Sequence, residues 1–374
     1  MNLVVSRTIL IALVAALAGM MFGALVLGGK PRVKVKTSPA PVPAIVAPAP
    51  IDQPVHLNMA SSYPTSAPQF GTLGVNLTAK VARASAGSVD IAINEPGAIL
   101  PVDQAFDALA NGDLDALWSS PAMLVDKDSA FAFFGGAPFG PRAAEFLGWI
   151  YYGGGRDLQQ ELFAPYNVVA IPCAVTAPEA GGWFRDEIRG PADLKGLNMR
   201  FMGLGAKVIA KLGVNVLQIP GGDIYQQLQA GNIDATEFSQ PAIDLRLGLF
   251  QVVKNYYFPG WHQQSTLVDL MIAQKKWDTL SDTQRSVIEL ACGDNIREGL
   301  AEAGSLQIAA LNELKAKGVE IRRFPPAVMA ALDKAWQNVA ADESQSNPAF
   351  KKAYESYSAF RDSYAMWRKM GYVE

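Results

Sequence analysis

Strand-like and helix-like patterns of apolar residues alternate along the chain and predict an α/β fold. Residues 55–63 alternate between polar and apolar side chains, as a half-buried strand does. Residues 70–86 follow, with Leu73, Leu77 and Val81 at helical spacing. Because later strands and helices alternate in the same way, we expect mainly parallel pairing of the strands.

The pattern is clearest between Asp193 and Phe238, where three predicted strands alternate with two helices. The first strand carries Arg200 in an otherwise apolar run. The third strand, IDATEF, delivers a carboxylate at Glu237. Charged side chains on strands of an apolar sheet need a reason, so we predict that this stretch forms half of a ligand cleft.

A short motif occurs twice and suggests two similarly built lobes. Residues 109–116 read LANGDLDA, and residues 228–235 read LQAGNIDA. In both copies a helix closes with a glycine, where a left-handed residue is least costly, and a strand follows at once. If the copies are equivalent, Trp118 and Glu237 leave corresponding strands at the carboxyl end, where open α/β sheets bind ligands. Coincidence is the alternative that so short a match leaves open.

The N-terminus carries an unbroken apolar run from Ile9 to Leu27. This run is long for a signal peptide and just long enough to cross a bilayer, so residues 1–29 are predicted to be a signal peptide or a membrane anchor. Residues 30–54 form a Pro/Ala-rich linker. The chain is therefore predicted to be exported to the periplasm, with cleavage and tethering to the inner membrane both open.

Composition narrows the functional classes. A chain of 374 residues is too long for one small core, so two domains are expected. The net charge of -3 gives no sign of a nucleic-acid-binding surface. His56 and His262 lie far apart, and the chain offers no credible Ser/His/Asp set or Cys/His pair, so no catalytic cofactor and no enzymatic activity are predicted. Cys173 and Cys292 are interpreted as two buried free thiols in preference to a disulfide.

The C-terminal part of the chain is predicted to be largely helical, with Ser281 as the N-cap of a long helix. A final helix from Pro348 to Arg368 carries a stripe of aromatic residues at spacings of three and four. The stripe must pack on something. Its own lobe is the ordinary partner, and a second subunit in a homodimer is the alternative. The stripe consists of Phe350, Tyr354, Tyr357, Phe360, Tyr364 and Trp367.

Six segments follow one another along the chain: GAPFG, YYGGG, GGWF, DLKGLNMRFMGLGAKV, IPGGDIYQQLQAGNIDATEF and YYFPGWH. In these segments the chain resembles the extracytoplasmic solute receptors of TRAP transporters. It is most similar to the branch that binds 2-oxoacids and related carboxylates. The resemblance implies a periplasmic-binding-protein fold of type II, in which two α/β lobes close on a small organic acid. It also implies delivery of that acid to a sodium-driven TRAP permease. The implied boundaries are residues 55–175 and 268–330 for lobe I, 176–267 for lobe II and 331–374 for C-terminal helices.

Arg200 stands where this family places the arginine that clamps the ligand carboxylate. A planar guanidinium suits this role because it can donate two parallel hydrogen bonds to a carboxylate. A structural ion pair is the alternative. Glu237 and Phe238 match the pair that helps to hold a cation beside the substrate, one through its side chain and the other through its carbonyl.

Two residue types are exchanged relative to the family pattern. The family often has glutamine four residues before the GGWF tryptophan and glutamate after GWH, whereas this chain has Glu179 and Gln263. The formal charge is unchanged, so the resemblance implies that the cation site persists, with Glu179 also beside the substrate. Carboxylate and amide oxygens suit Na⁺ or Ca²⁺. The alternative is that the site is lost.

The opposite wall, from Trp118 to Leu124, departs most from the family. Met123 and Leu124 stand in a segment that is rich in tyrosine in the family, and Ala242 replaces another tyrosine. We therefore predict that Trp118 and Met123 contact the substrate, and that the acid carries an apolar tail. A membrane-tethered ligand sensor and, less favoured, an enzyme on the same fold are the competing functions.

Overall fold

The computed structural model describes residues 52–371, which contain two β-sheets and twelve α-helices. The predicted N-terminal segment of residues 1–29 and most of the linker lie outside this range. The strands are β1 Val55–Ser61, β2 Val89–Asn94, β3 Ala116–Ser119, β4 Val168–Val175, β5 Gly182–Phe184, β6 Asn198–Arg200, β7 Asn215–Leu217, β8 Ala235–Thr236, β9 Asn255–Phe258, β10 Leu267–Ala273 and β11 Glu320–Arg323. The helices are α1 Thr72–Ala84, α2 Val102–Asn111, α3 Ala132–Gly135, α4 Ala143–Tyr152, α5 Gly155–Phe163, α6 Gly203–Ala210, α7 Ile224–Gln229, α8 Pro241–Leu247, α9 Gln274–Trp277, α10 Asp282–Ala316, α11 Pro326–Ser346 and α12 Pro348–Met370.

The first sheet has the strand order β2-β1-β3-β10-β4. Helix α1 covers it, and the predicted apolar face of this helix is confirmed because Leu73, Leu77 and Val81 are fully buried. Its core also includes Trp118 of β3. This sheet and its helices form the first lobe.

The second sheet has the order β11-β9-β5-β8-β6-β7 and forms the second lobe with the helices around it. Strand β11 pairs in parallel with β9, from Glu320↔Asn255 to Arg323↔Phe258. The boundaries implied by the family resemblance place residues 268–330 with the first lobe, whereas β11 lies in the second sheet. Its partner strand is remote in sequence, and local patterns carry no information on such a pairing.

The chain passes between the two sheets three times: through residues 176–181, through residues 259–266 and, after β10, through the long segment that contains helix α10. The two short passages, residues 176–181 and 259–266, are here called the crossing segments. These two crossing segments run side by side, with the Thr176 amide 3.0 Å from the Thr266 carbonyl oxygen and the Glu179 amide 3.1 Å from that of Gln263. Each strand that follows one of these two crossing segments, β5 or β10, enters its new sheet antiparallel to both neighbours, whereas β11, reached through α10, pairs in parallel with β9. The expectation of mainly parallel pairing is therefore wrong at these strands, because a chain arriving from the other lobe runs against the strand that left.

Helix α10 joins the lobes along one side. The predicted cap is confirmed, since Ser281 Oγ accepts from the Gln284 amide in a capping box. Asn295 donates to the carbonyl oxygens of Leu73 and Cys173 in the first lobe, each at 3.0 Å. Further along, the helix packs Leu314 into the core of the second lobe.

Cys173 of β4 and Cys292 of α10 form a disulfide, with their Cα atoms 4.1 Å apart. The interpretation as two free thiols is therefore wrong. A separation of 119 residues hid the pairing, since only the packing of α10 on β4 brings the two side chains together. The bond fixes the helix to the strand that leads into the first crossing segment.

The first half of α12 packs against its own chain. Phe350 and Tyr357 are buried, and Phe133 lies 4.8 Å and 5.2 Å from their ring centroids. Towards the C-terminus Met366 and Trp367 are exposed. The first half of the aromatic stripe thus has the ordinary partner, and a homodimer through this helix stays a prediction. Within residues 52–371, no helix is long and apolar enough to cross a membrane.

Candidate functional site

Adjacent strands of the second sheet bring Arg200 and Glu237 together. Strand β6 pairs in parallel with β8, and Arg200 lies opposite Thr236, so the next residue, Glu237, follows the strand end beside the arginine. Arg200 Nη1 donates to the Glu237 carbonyl oxygen and to Oε2, each at 2.7 Å. Both side chains are buried, which makes this pair far less screened than a surface ion pair.

The guanidinium of Arg200 keeps part of its donor capacity. Its Nε donates to the Ile219 carbonyl oxygen at 3.3 Å, and its Nη1 donates to Glu237. No hydrogen bond from Nη2 to another described residue is present. The ring of Phe238 lies 5.4 Å from the guanidinium carbon, and a Cβ at Gly221 would lie only 2.7 Å from that ring. The arginine is therefore held in place with donors left for an anion.

The two crossing segments add Glu179 and His262. His262 Nε2 lies 3.1 Å from Glu179 Oε2 and 3.6 Å from Glu237 Oε1. All three side chains are about 95% buried. The ring of Phe201, the residue after β6, lies 5.0 Å from the imidazole and fixes its orientation. The charged cluster of Arg200, Glu237, Glu179 and His262 thus joins the second sheet to both crossings.

Gln263 lies at the edge of this charged cluster and holds Glu179. Its Nε2 donates to Glu179 Oε1 at 3.2 Å and to Thr266 Oγ1 at 2.6 Å. The loop of the first lobe approaches it closely, because a Cβ at Gly136 would lie 2.5 Å from the Gln263 side chain. Glycine at this point lets the two lobes meet at the crossing.

Burial and charge act in opposite directions on the titratable groups. Burial raises the pKa of Glu179 above its usual range, although its hydrogen bond with His262 and the charge of that imidazole oppose the shift. Burial lowers the pKa of His262, but its hydrogen bonds with Glu179 and Glu237 and their charges outweigh burial and raise it to about 9. The imidazole is therefore protonated at neutral pH.

The two carboxylates of this cluster fit a hard cation, whereas the protonated imidazole has no free lone pair with which to bind one. One carboxylate oxygen each from Glu179 and Glu237, with a nitrogen of His262, lie within 4.8 Å of one another. Oxygen ligands with two negative charges suit Na⁺ or Ca²⁺. Of the predicted cation ligands, Glu179 and Glu237 lie together and Gln263 lies beside Glu179, whereas Phe238 follows Glu237 in the chain and packs its ring near Arg200. Gln263 faces Glu179 with its amide nitrogen as a hydrogen-bond donor.

The other two predicted substrate contacts, Trp118 and Met123, have different surroundings. Trp118 is fully buried in the core of the first lobe, and its Nε1 donates to the Phe70 carbonyl oxygen at 2.6 Å. Its ring packs on α1, where a Cβ at Gly74 would lie 2.9 Å from Nε1. The indole is thus committed to this core, which argues against the predicted contact of Trp118 with the substrate. Met123 is 56% exposed, and Leu124 is buried in a separate core of the first lobe.

Behind the charged cluster lies a buried acid that the sequence did not single out. Asp244 of α8 accepts hydrogen bonds from Trp183 Nε1 at 2.9 Å and the Tyr256 hydroxyl at 2.8 Å. Burial raises the pKa of Asp244 to about 7 despite these two bonds. The periodicity of apolar residues in the sequence could have indicated that Asp244 is buried. It does not reveal that Trp183 and Tyr256, which are distant in sequence, donate to it.

Two α/β lobes joined by two crossings, with a buried arginine and carboxylates at the junction, define a two-lobed solute-binding protein of type II. The family model for bacterial extracellular solute-binding protein, family 7, matches residues 59–346. The chain belongs to this family.

Proteins similar to this chain share this class. The chain is 33% identical over 317 residues to a monocarboxylate 2-oxoacid-binding periplasmic protein of Nostoc sp., covering 84% of this chain and 86% of that one. A TRAP transporter solute-binding protein from Bordetella bronchiseptica, a mixed-occupancy dimer with copurified calcium and picolinate, superposes with a TM-score of 0.81 at 35% identity, over 85% and 95% of the two chains. One from Pseudoalteromonas atlantica with bound sodium and pyruvate gives 0.80 at 29% identity, over 85% and 97%.

Proposed function

We propose that this protein is a periplasmic receptor for a 2-oxoacid or related monocarboxylate, which it delivers to a TRAP permease for sodium-driven uptake. The observation that carries the proposal is the buried charged cluster at the junction of the two lobes. A buried arginine with an unused terminal nitrogen, beside two carboxylates within reach of one cation, suits an anion bound together with a metal ion.

Charge balance supports the pairing of an acid with a cation. Arg200 and protonated His262 face the carboxylates of Glu179 and Glu237, so the four side chains have no net charge when both acids are ionised. A monocarboxylate alone would add one uncompensated charge to a buried site, which is costly. A bound Na⁺ would cancel that charge, and Ca²⁺ would do so with one positive charge left.

In this role Arg200 holds the ligand carboxylate, and Glu179, Glu237 and the Phe238 carbonyl group hold the cation. Gln263 positions Glu179 through its amide nitrogen. None of these steps changes a covalent bond, so the receptor binds and releases its ligand without turnover. Of the relatives named above, the Nostoc protein is a monocarboxylate 2-oxoacid-binding protein, and the two solved structures hold picolinate with calcium and pyruvate with sodium, which supports the same ligand class here.

The ligand class is tested by thermal unfolding with a panel of acids. We expect pyruvate, 4-methyl-2-oxopentanoate and picolinate to raise the melting temperature in the presence of Ca²⁺ or Na⁺, and glucuronate to leave it unchanged. At a hundredfold excess over the dissociation constant, a ligand stabilises the native state by about 2.7 kcal/mol. Chelation of Ca²⁺ in sodium-free buffer should remove most of the shift. A panel without any stabilising oxoacid contradicts the proposal.

The apolar tail is the finer part of the proposal. It rests on Met123 and Ala242, which stand where the family has hydroxyl-bearing tyrosines. We expect 4-methyl-2-oxopentanoate to stabilise the protein more than pyruvate at equal concentration. A stronger shift with pyruvate would contradict the tail and leave the oxoacid assignment intact.

A further inference from the structure

Residues 62–71, here called the mouth loop, follow β1 and are fixed from several sides. The Thr65 amide donates to Glu95 Oε2 at 3.1 Å, which ties the loop to the end of β2. The carbonyl oxygen of Phe70 accepts from Trp118 Nε1, which ties it to β3. Such anchoring makes the mouth loop a rigid surface of the first lobe.

Gln69 is the most constrained residue of the mouth loop. It is fully buried and has φ of 62°, a left-handed conformation that non-glycine residues seldom adopt. Its amide explains why the conformation persists: Nε2 donates to the Gly299 carbonyl oxygen of α10 at 2.8 Å, and Oε1 accepts from the Ala177 amide at 3.0 Å. Gln69 therefore links the mouth loop to the joining helix and to the first crossing segment. Backbone strain that is held in this way often marks a functional element.

Helix α8 of the second lobe reaches across to this loop. Arg246 Nη1 donates to the Ser66 carbonyl oxygen at 2.8 Å. Three residues earlier on the same helix, Ile243 packs against the core of the first lobe, which includes Phe70. The start of α8 is itself held down, because the Ala242 amide donates to Gln307 Oε1 of α10 at 2.9 Å.

We propose that Arg246 and Ile243 form a latch that holds the second lobe against the mouth loop when the receptor is closed. Arg246 has no hydrogen bond or ion pair with any member of the charged cluster among the described residues, so it is a positioning residue and not a ligand contact. Ligand affinity includes the equilibrium between open and closed forms. Contacts made only in the closed form slow ligand release, so their loss changes the dissociation rate more than the association rate.

The kinetic part of the test rests on the proposed function. Binding of pyruvate and 4-methyl-2-oxopentanoate with Ca²⁺ is followed by stopped-flow tryptophan fluorescence for wild type and Arg246→Ala. Loss of one charge-assisted hydrogen bond should raise the dissociation constant about 3- to 10-fold, mainly through the dissociation rate. Arg246→Lys should recover part of the effect, and Ile243→Ala should repeat it.

The matched control is Arg189→Ala. Arg189 is an exposed arginine of the second lobe whose side-chain bonds go to Glu187 of the same lobe. Its removal should leave both rate constants unchanged. Equal dissociation rates for wild type and Arg246→Ala, or an equal change in the control, would overturn the latch.

A second readout needs no ligand and separates the latch from the proposed function. Within the mouth loop the amide of Ala67 donates to the carbonyl oxygen of Pro64, and the amide of Gly71 donates to the carbonyl oxygen of Ala67. Because the ligand-free protein also samples the closed form, we expect Arg246→Ala to speed hydrogen exchange of these amides by about threefold or more, since a rate change of that size corresponds to the loss of a weak contact. Unchanged exchange would refute the latch even if no oxoacid bound, whereas faster exchange without oxoacid binding would refute only the ligand class.

Discussion

The two copies of the repeated motif begin alike and end in different chemistry. Helix α2 is followed by Gly112 with φ of 77°, and α7 by Gly231 with φ of 75°. Strands β3 and β8 then begin at equivalent alanines. Yet the first copy delivers Trp118 into a hydrophobic core, and the second delivers Glu237 into a buried charged cluster.

Strand length accounts for the difference. Strand β3 extends to Ser119, so Trp118 is still inside the strand and must point to one face of the sheet, where α1 covers it. Strand β8 has only two residues and ends at Thr236. Glu237 therefore leaves the sheet at its carboxyl end, where side chains can converge on a ligand. The lesson is that a shared motif fixes where a strand begins, whereas the strand end decides whether a side chain serves the core or the site.

The largest expected effect is a loss of stability when the tryptophan that follows the first copy of the motif is removed. Trp118→Ala should lower the free energy of unfolding by about 3–5 kcal/mol, because it empties a fully buried site. Urea denaturation measures this loss. The milder Trp118→Phe should keep oxoacid affinity within about twofold, since a residue that does not touch the ligand contributes little to binding. A tenfold loss of affinity in Trp118→Phe without a loss of stability would return Trp118 to the site.

A smaller effect is the pH dependence of stability that arises from the charged cluster beside the second copy of the motif. The folded-state pKa of His262 is raised from 6.5 to about 9. A raised pKa stabilises the fold fully below pH 6.5, and this contribution is lost as the pH rises from 6.5 through 9. Urea denaturation without ligand should show wild type losing about 1–3 kcal/mol over this range relative to His262→Asn.

His262→Asn also serves as the control for the titrating groups that do not contact the imidazole, because their contributions cancel in the difference between the two proteins. Parallel pH profiles for wild type and His262→Asn would contradict the assignment of a charged imidazole between Glu179 and Glu237.

The sequence predicted what local patterns and adjacent strands determine. The α/β class, the face of α1 and the Ser281 cap followed from periodicity and capping residues, and Arg200 with Glu237 followed from two strands of one repeating unit. Glu179 and Gln263 came from the family resemblance, and their approach depends on two crossing segments that are far apart in sequence.

The misses have a common physical origin. The cysteine pairing, the place of β11 in the second sheet and the antiparallel strands after each crossing all depend on contacts between distant segments. The direction of Trp118 depends on which face of β3 is covered. No local propensity encodes these features, since they are set when whole lobes pack.

The proposed function depends most on Arg200, which is proposed to hold the ligand carboxylate. Isothermal titration of 4-methyl-2-oxopentanoate and pyruvate in Ca²⁺-containing buffer tests this role most directly. Arg200→Ala should weaken binding by about a thousandfold or more, equivalent to about 4 kcal/mol, and Arg200→Lys should be intermediate because it keeps the charge without the planar fork. Because Arg200→Ala leaves Glu237 buried without its partner, circular dichroism and urea denaturation check that the variant is folded before its affinity is compared. Affinity within tenfold of wild type in a folded Arg200→Ala protein would contradict the account.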